Sequence, residues 1–181
     1  MEIIVEERKF SVTSKYDISA HDCKYYAVGS HWPFSSRFRL LAADHEQTLA
    51  TISWRLSFFR ARYDFWFPSG PVYRFWCENL WKGVYACKGE QDSYRLYEHR
   101  GLMYSLFKGE RQVAALERNR FVIGNGNRYD IRVNRDENVL LVICVTLVLD
   151  ALDGSHGSTV TVDLGNIGPE ARRFDESWQP D

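Results

Sequence analysis

The sequence predicts a mainly β fold whose sheet closes around one buried helix. Three observations lead there. Aromatic residues make up 15% of the chain, with six Trp, ten Tyr and eleven Phe, and such residues favour pleated, half-buried surfaces. Turn chemistry recurs roughly every 8–15 residues, the spacing of an all-β sandwich or barrel. One apolar run, Val139–Leu149, then breaks the pattern with no charge and a single hydroxyl.

Composition sets the outer bounds. A chain of 181 residues is one domain long and buries about two-thirds of its unfolded surface. Its 45% hydrophobic and 26% charged residues are ordinary globular material. The net charge of −1 lacks the basic excess of a duplex-binding domain, so nucleic acid is not an expected partner. Cys23, Cys77, Cys87 and Cys144 form no C-x-x-C pair and have no H-x-x-x-H beside them, so no zinc or other metal site is expected. Cys144, inside the apolar run, reads as a small hydrophobe. A Cys77–Cys87 disulfide stays open. The start, Met-Glu-Ile-Ile, has neither a basic n-region nor an apolar h-region, which points to a cytoplasmic chain with reduced thiols.

The elements follow in order. Val28, Phe38, Leu40, Ile52, Trp54, Tyr63, Phe65 and Phe67 mark short strands. Ser14-Lys15, His21-Asp22, Asp44-His45-Glu46, Pro68–Pro71, Lys88–Asp92, Lys108–Glu110 and Gly124–Asn127 mark turns. An internal echo is present. Leu49-Ala50-Thr51-Ile52 leads to Arg62-Tyr63-Asp64-Phe65, and Val113-Ala114-Ala115-Leu116 leads to Arg128-Tyr129-Asp130-Ile131. Each copy reads as strand, loop, strand, with the Tyr-Asp pair opening the second strand. The arrangement fits two related halves of one sheet.

Asp136-Glu137-Asn138 suit a helix start and Gly154 its stop. The run of eleven exceeds the usual strand and favours a helix, although its β-branched residues would also suit a central strand. Such a helix is about 16 Å long, half of a bilayer core. Being apolar on every face, it must be surrounded by protein, and a mostly β chain does that by wrapping its sheet around it. The chain is thus divided into a barrel over 1–153 and an extension over 154–181, with one further strand, Thr159–Asp163, before a peripheral tail.

In order and spacing the chain resembles the LURP-one-related family, which shares the tubby-like fold with phospholipid scramblases. The residues that carry the resemblance are Glu7–Ser11, Tyr16-Asp17-Ile18, Leu49–Ile52, Arg128–Ile131 and the apolar segment Leu140–Asp150, and it covers roughly residues 3–153. The resemblance implies a closed antiparallel β-barrel of about twelve strands around a C-terminal hydrophobic helix. Tubby domains bind phosphoinositide headgroups and scramblases act at membranes, but no lipid-contacting motif of tubby matches here. The chain departs from the family in the Trp- and Tyr-rich stretch Phe67–Gly89 and in continuing from Gly154 to Asp181.

Candidate chemistry lies in basic doublets. Arg37/Arg39, Arg60/Arg62 and Arg118/Arg120 sit at i, i+2, on one face of a strand. The last two doublets occupy comparable places in the echo, with Arg128 close behind. Arg60, Arg62, Arg118, Arg120 and Arg128 are therefore the candidate ligand-binding set, since guanidinium forks match phosphate oxygens; the plain alternative is that outward barrel positions are polar anyway. Phe58-Phe59, Trp66, Trp76, Trp81 and Tyr85, together with Arg55, Arg60, Arg62 and Arg74, make the region 54–85 the first choice for a functional surface; packing within the barrel is the competing account. The Gly124–Asn127 loop lacks the rest of any phosphate-binding fingerprint and reads as a turn.

The five histidines are scattered, and no catalytic residue or cofactor is designated. Asp150, at the helix end where the dipole disfavours an anion, is expected to bond to backbone or an Arg. The sequence thus points to a non-enzymatic binding module for anionic phospholipid headgroups or a protein partner, cytoplasmic and peripheral to a membrane. The alternative is a small-molecule-binding or enzymatic barrel with an unrecognised pocket. Scrambling is disfavoured by the short apolar run.

Overall fold

The computed structural model describes residues 1–8, 14–30, 37–57, 60–119, 126–154 and 171–181. Its strands are β1 (Glu2–Arg8), β2 (Ser14–Ala20), β3 (Cys23–Ser30), β4 (Arg37–Ala42), β5 (Thr48–Ser57) and β6 (Arg60–Trp66), followed by β7 (Val72–Asn79), β8 (Val84–Lys88), β9 (Ser93–His99), β10 (Met103–Lys108), β11 (Arg111–Asn119) and β12 (Arg128–Val133). Each pairs antiparallel with its neighbour in sequence, and β1 closes on β12, with Ile3 opposite Ile131 and Val5 opposite Tyr129. Closure leaves no edge strand, so every strand is paired on both sides within the chain.

One helix, α1 (Val139–Gly154), follows. Leu141 to Leu149 are all essentially inaccessible. At 3.6 residues per turn those positions cover every face of the helix. They share one cluster with the inward side chains of the strands, among them Ile3, Leu40, Phe65, Phe75, Leu106 and Ile131. The helix therefore fills the barrel. It is longer than the apolar run, since its 16 residues extend it to about 24 Å. Asn138 caps its start, its Oδ1 accepting from Leu141 N at 3.1 Å. Thr146, the hydroxyl within the run, donates to the Val142 carbonyl at 2.9 Å, so nothing polar in the run needs water. Among the described residues no helix is long and apolar enough to cross a membrane.

Three local expectations shift. Ser14 and Lys15 open β2 instead of forming a turn. β6 begins at Arg60, which puts Tyr63-Asp64 in mid-strand. Phe67 leaves the strand and packs edge-on against Tyr73, ring centres 6.0 Å apart. The strand expected at 159–163 lies outside the described residues. The four cysteines are unbridged.

The last segment, 171–181, lies on the outside of the barrel. Outward positions of β9 to β11 that ought to be wet (His99, Ser105, Phe107 and Ala115) are buried. Arg172 sits over the Phe107 ring at 3.8 Å and Phe174 against His99 at 5.1 Å. Asp181 then takes Arg111 at 2.9 Å and donates its N–H to Asn134 Oδ1 at 3.0 Å. The extension is a strap that builds a second, smaller core on the outer face.

Leu147→Ala removes buried methyl groups from a cavity that the rigid ladder cannot collapse around. It should lower unfolding stability by about 3 kcal/mol, read as a lower denaturant midpoint with an unchanged slope.

Candidate functional site

Hairpin parity sorts charge along the barrel. Six connections lie at each end of a twelve-strand meander that is followed by a helix. At the end where β12 gives way to α1, the turns carry Asp22, Asp44, Glu46, Glu90, Asp92 and Glu110, with Asp136 and Glu137 leading into the helix. Lys88, Lys108, Arg111 and Arg135 also stand there; Lys108 pairs with Asp92 at 2.8 Å and Arg111 with Asp136 at 2.8 Å.

At the opposite end, beside the close of α1, the described strand termini and connections carry Arg8, Lys15, Arg37, Arg60, Lys82 and Arg100, then Arg128. No acid lies at a described strand terminus or connection there; Glu7, Glu78 and Glu98 sit one residue inside their strands, as Lys15 does, and Asp150 and Asp153 lie at the close of α1. Arg8 pairs with Asp17. Arg37, Lys82 and Arg100 are exposed.

The five sequence-nominated arginines do not form one patch. Arg62 and Arg128 lie on strands six places apart in a ring of twelve, so they face opposite directions. Each is held by its own strand. Arg62 Nε donates to Asp64 at 3.0 Å, and Arg128 donates to Asp130 at 2.8 Å and to Glu6 at 2.9 Å. Arg118 points inward and is buried, its guanidinium 5.8 Å from the Tyr129 ring. Arg60 opens β6 at the basic end, opposite Ser57. Arg120 lies outside the described residues.

The echo has a structural counterpart. Ile52 faces Phe65 as Leu116 faces Ile131, and Arg55 faces Arg62 as Asn119 faces Arg128. Asp64 is clamped by Arg55 and Arg62, both at 3.0 Å, and Asp130 by Asn119 at 2.6 Å and Arg128. The same staple recurs on opposite walls. What recurs in the two copies is an Arg-x-Asp pair within one strand, Arg62/Asp64 and Arg128/Asp130; Arg118 is not part of the clamp.

The aromatic stretch also divides. Tyr85 stacks on Phe75, ring centres 5.6 Å apart, and belongs to the interior. Trp76 is half-buried. Trp66, 45% exposed, lies at the acidic end. Phe58 and Phe59 lie outside the described residues. What stands clear is the β7–β8 tip at the basic end, where Leu80 is 75% and Trp81 87% exposed. Turn signals missed this tip, whose turn formers Asn79 and Gly83 are separated by Leu80-Trp81-Lys82. A single 3-10 turn, Leu80–Lys82, forms there. Asn79 Oδ1 accepts from Lys82 N at 3.2 Å, and Gly83 at φ 55° donates to the Leu80 carbonyl at 3.3 Å, a left-handed position that favours glycine.

Inside the basic end, Asp150 is buried in the last turn of α1. Its partners differ from the backbone or Arg expected: it accepts from Tyr16 Oη at 2.8 Å, Asn127 Nδ2 at 2.7 Å and Tyr129 Oη at 3.3 Å. Burial first, and then the nearby carboxylate, push the Tyr16 and Tyr129 phenols well above their usual range. These groups tie β2, β12 and the loop before β12 to the helix end, which is a latch rather than a reactive pair.

Two histidines have structural roles. His21 (φ 50°) and His45 (φ 62°) hold left-handed turn positions, a conformation His adopts more readily than most side chains. On the outer face a groove of about 390 Å³ runs beside the strap, lined by Glu2, Glu117, Asp130, Arg128, Arg132 and Phe174 among others. Its arginine Arg128 is already spent on Asp130 and Glu6.

Comparison with known protein families, curated proteins and solved structures gives no match for this chain.

Asp150→Ala strands two buried phenols and an amide, and should cost about 2–3 kcal/mol. Tyr16→Phe, which leaves the carboxylate two donors, should cost about 1 kcal/mol; both are read by chemical denaturation. Alkali should act through the same phenols. The fold holds their neutral form, and an unfolded tyrosine ionises near pH 10 (about 10 for the free side chain). Their contribution is complete below about pH 10 and shrinks above it. In a titration followed by tyrosinate absorbance, the buried phenols should ionise together with the loss of circular dichroism, after the exposed ones.

Proposed function

We propose that this chain is a non-enzymatic binding module that meets anionic phospholipid headgroups through the basic end of its barrel. The observation that carries the reading is the segregation of charge: bases crowd the connections at one end while the acids gather at the other, within a chain of net charge −1. Such a molecule has a large electrical asymmetry along its axis, and an anionic surface orients it with one end down. Each Lys or Arg near such a surface contributes about 1 kcal/mol.

Arg37, Lys82 and Arg100 are the exposed members of that end, and Arg60 belongs to its rim. Arg62 and Arg128 hold strand carboxylates, and Arg118 supports the inner latch, so these three act on the fold. Membership of the LURP-one-related family is part of the same proposal. It is supported by the shared order of elements and by a twelve-strand barrel closed around a hydrophobic helix.

Vesicle co-sedimentation tests the reading. The protein should bind vesicles containing phosphatidylserine or a phosphoinositide and release them as salt rises. Replacing Arg37, Lys82 and Arg100 together by Ala should weaken binding roughly a hundredfold, whereas Arg62→Ala alone should change it little. Equal binding to neutral vesicles, or an unaffected triple variant, would remove the proposal.

A further inference from the structure

We infer that the β7–β8 tip, Leu80-Trp81-Lys82, is a membrane-inserting wedge that seats the barrel on an anionic bilayer with its basic end down; this rests on the lipid reading above. The tip carries the two most exposed of the large hydrophobic side chains among the described residues, Trp81 at 87% and Leu80 at 75%. Exposure of such groups is costly in water and is a mark of an interaction surface. Neither contributes to the core cluster, so packing does not account for them.

The backbone that presents them is fixed by hydrogen bonds. The turn is closed by Asn79 Oδ1 on Lys82 N at 3.2 Å and by Gly83 N on the Leu80 carbonyl at 3.3 Å. Gly83 then accepts from Glu98 N at 2.8 Å, which anchors the tip to β9. Little backbone order remains to be lost on docking.

Charge complementarity selects the occupant. Lys82 stands beside the Trp, and the next connection round the rim carries Arg100, both exposed. An indole at headgroup depth with an ammonium beside it is the pairing favoured at a bilayer–water boundary. A protein partner would need a complementary acidic, apolar hollow. An anionic bilayer offers that combination over its whole surface.

The test uses the full chain and two kinds of vesicle, phosphatidylcholine alone and phosphatidylcholine with phosphatidylserine, each also made with brominated acyl chains. Bromine should quench tryptophan emission of the native protein on anionic vesicles, and the quenching should vanish in Trp81→Phe, which keeps an aromatic ring at the tip. Trp81→Ala should weaken binding to anionic vesicles about tenfold, and Leu80→Ser with Trp81→Ala further. Circular dichroism should be native in each, since both side chains stand in solvent. If the native protein binds anionic vesicles but quenching and affinity ignore Trp81, the wedge is overturned: the basic end then works by charge alone, or the tip docks a protein. If the native protein does not bind anionic vesicles, the lipid reading itself fails and the wedge with it.

Discussion

A helix with no polar face cannot meet water anywhere along its length, and the rest of this molecule follows from that constraint. α1 is inaccessible from Leu141 to Leu149. Only a closed cylinder can bury it on all sides while pairing every strand with a neighbour. The helix in turn supplies the interior that a twelve-strand ring would otherwise leave empty. Cylinder and helix are therefore one cooperative object. The latch at Asp150 and the cap at Asn138 fix the helix at both ends, so it cannot slide along a smooth apolar bore.

Charge follows the same axis. A helix carries partial positive charge at its start and partial negative charge at its end. The acidic connections surround the start of α1 and the basic ones surround its close. Each rim thus complements the helix pole it encircles, so the fold itself favours this polarity. Asp150 and Asp153 are the exceptions, acidic residues at the C-terminal end of α1. Two phenols and an amide meet the Asp150 carboxyl there, satisfying its oxygens locally.

The two halves of the ring explain why arginine spacing misleads at a distance. Asp64 and Asp130 occupy equivalent places on opposite walls, each clamped by its own strand's arginine and by a partner on the preceding strand. A repeated sequence signal here records a repeated fold unit. The exposed Arg37, Lys82 and Trp81 are single occurrences at hairpin ends.

Patterning of the chain alone pointed to a mainly β fold, favoured a helix over a central strand for Val139–Leu149, and called for a sheet closed around it. These are consequences of local periodicity and of an apolar run that no sheet edge could shelter. The Arg62–Tyr63–Asp64 and Arg128–Tyr129–Asp130 echo also predicted two related halves. Only the tertiary structure decided which arginines share a surface, because strands adjacent in sequence alternate direction and positions six strands apart face opposite ways. It also decided that Trp81 stands in solvent while Tyr85 stacks inside, and that the segment from Ala171 covers His99 and Phe107. An aromatic residue's period says which face of a strand it occupies; which end of a barrel it reaches, and what long-range segment covers it, depends on how many hairpins lie between.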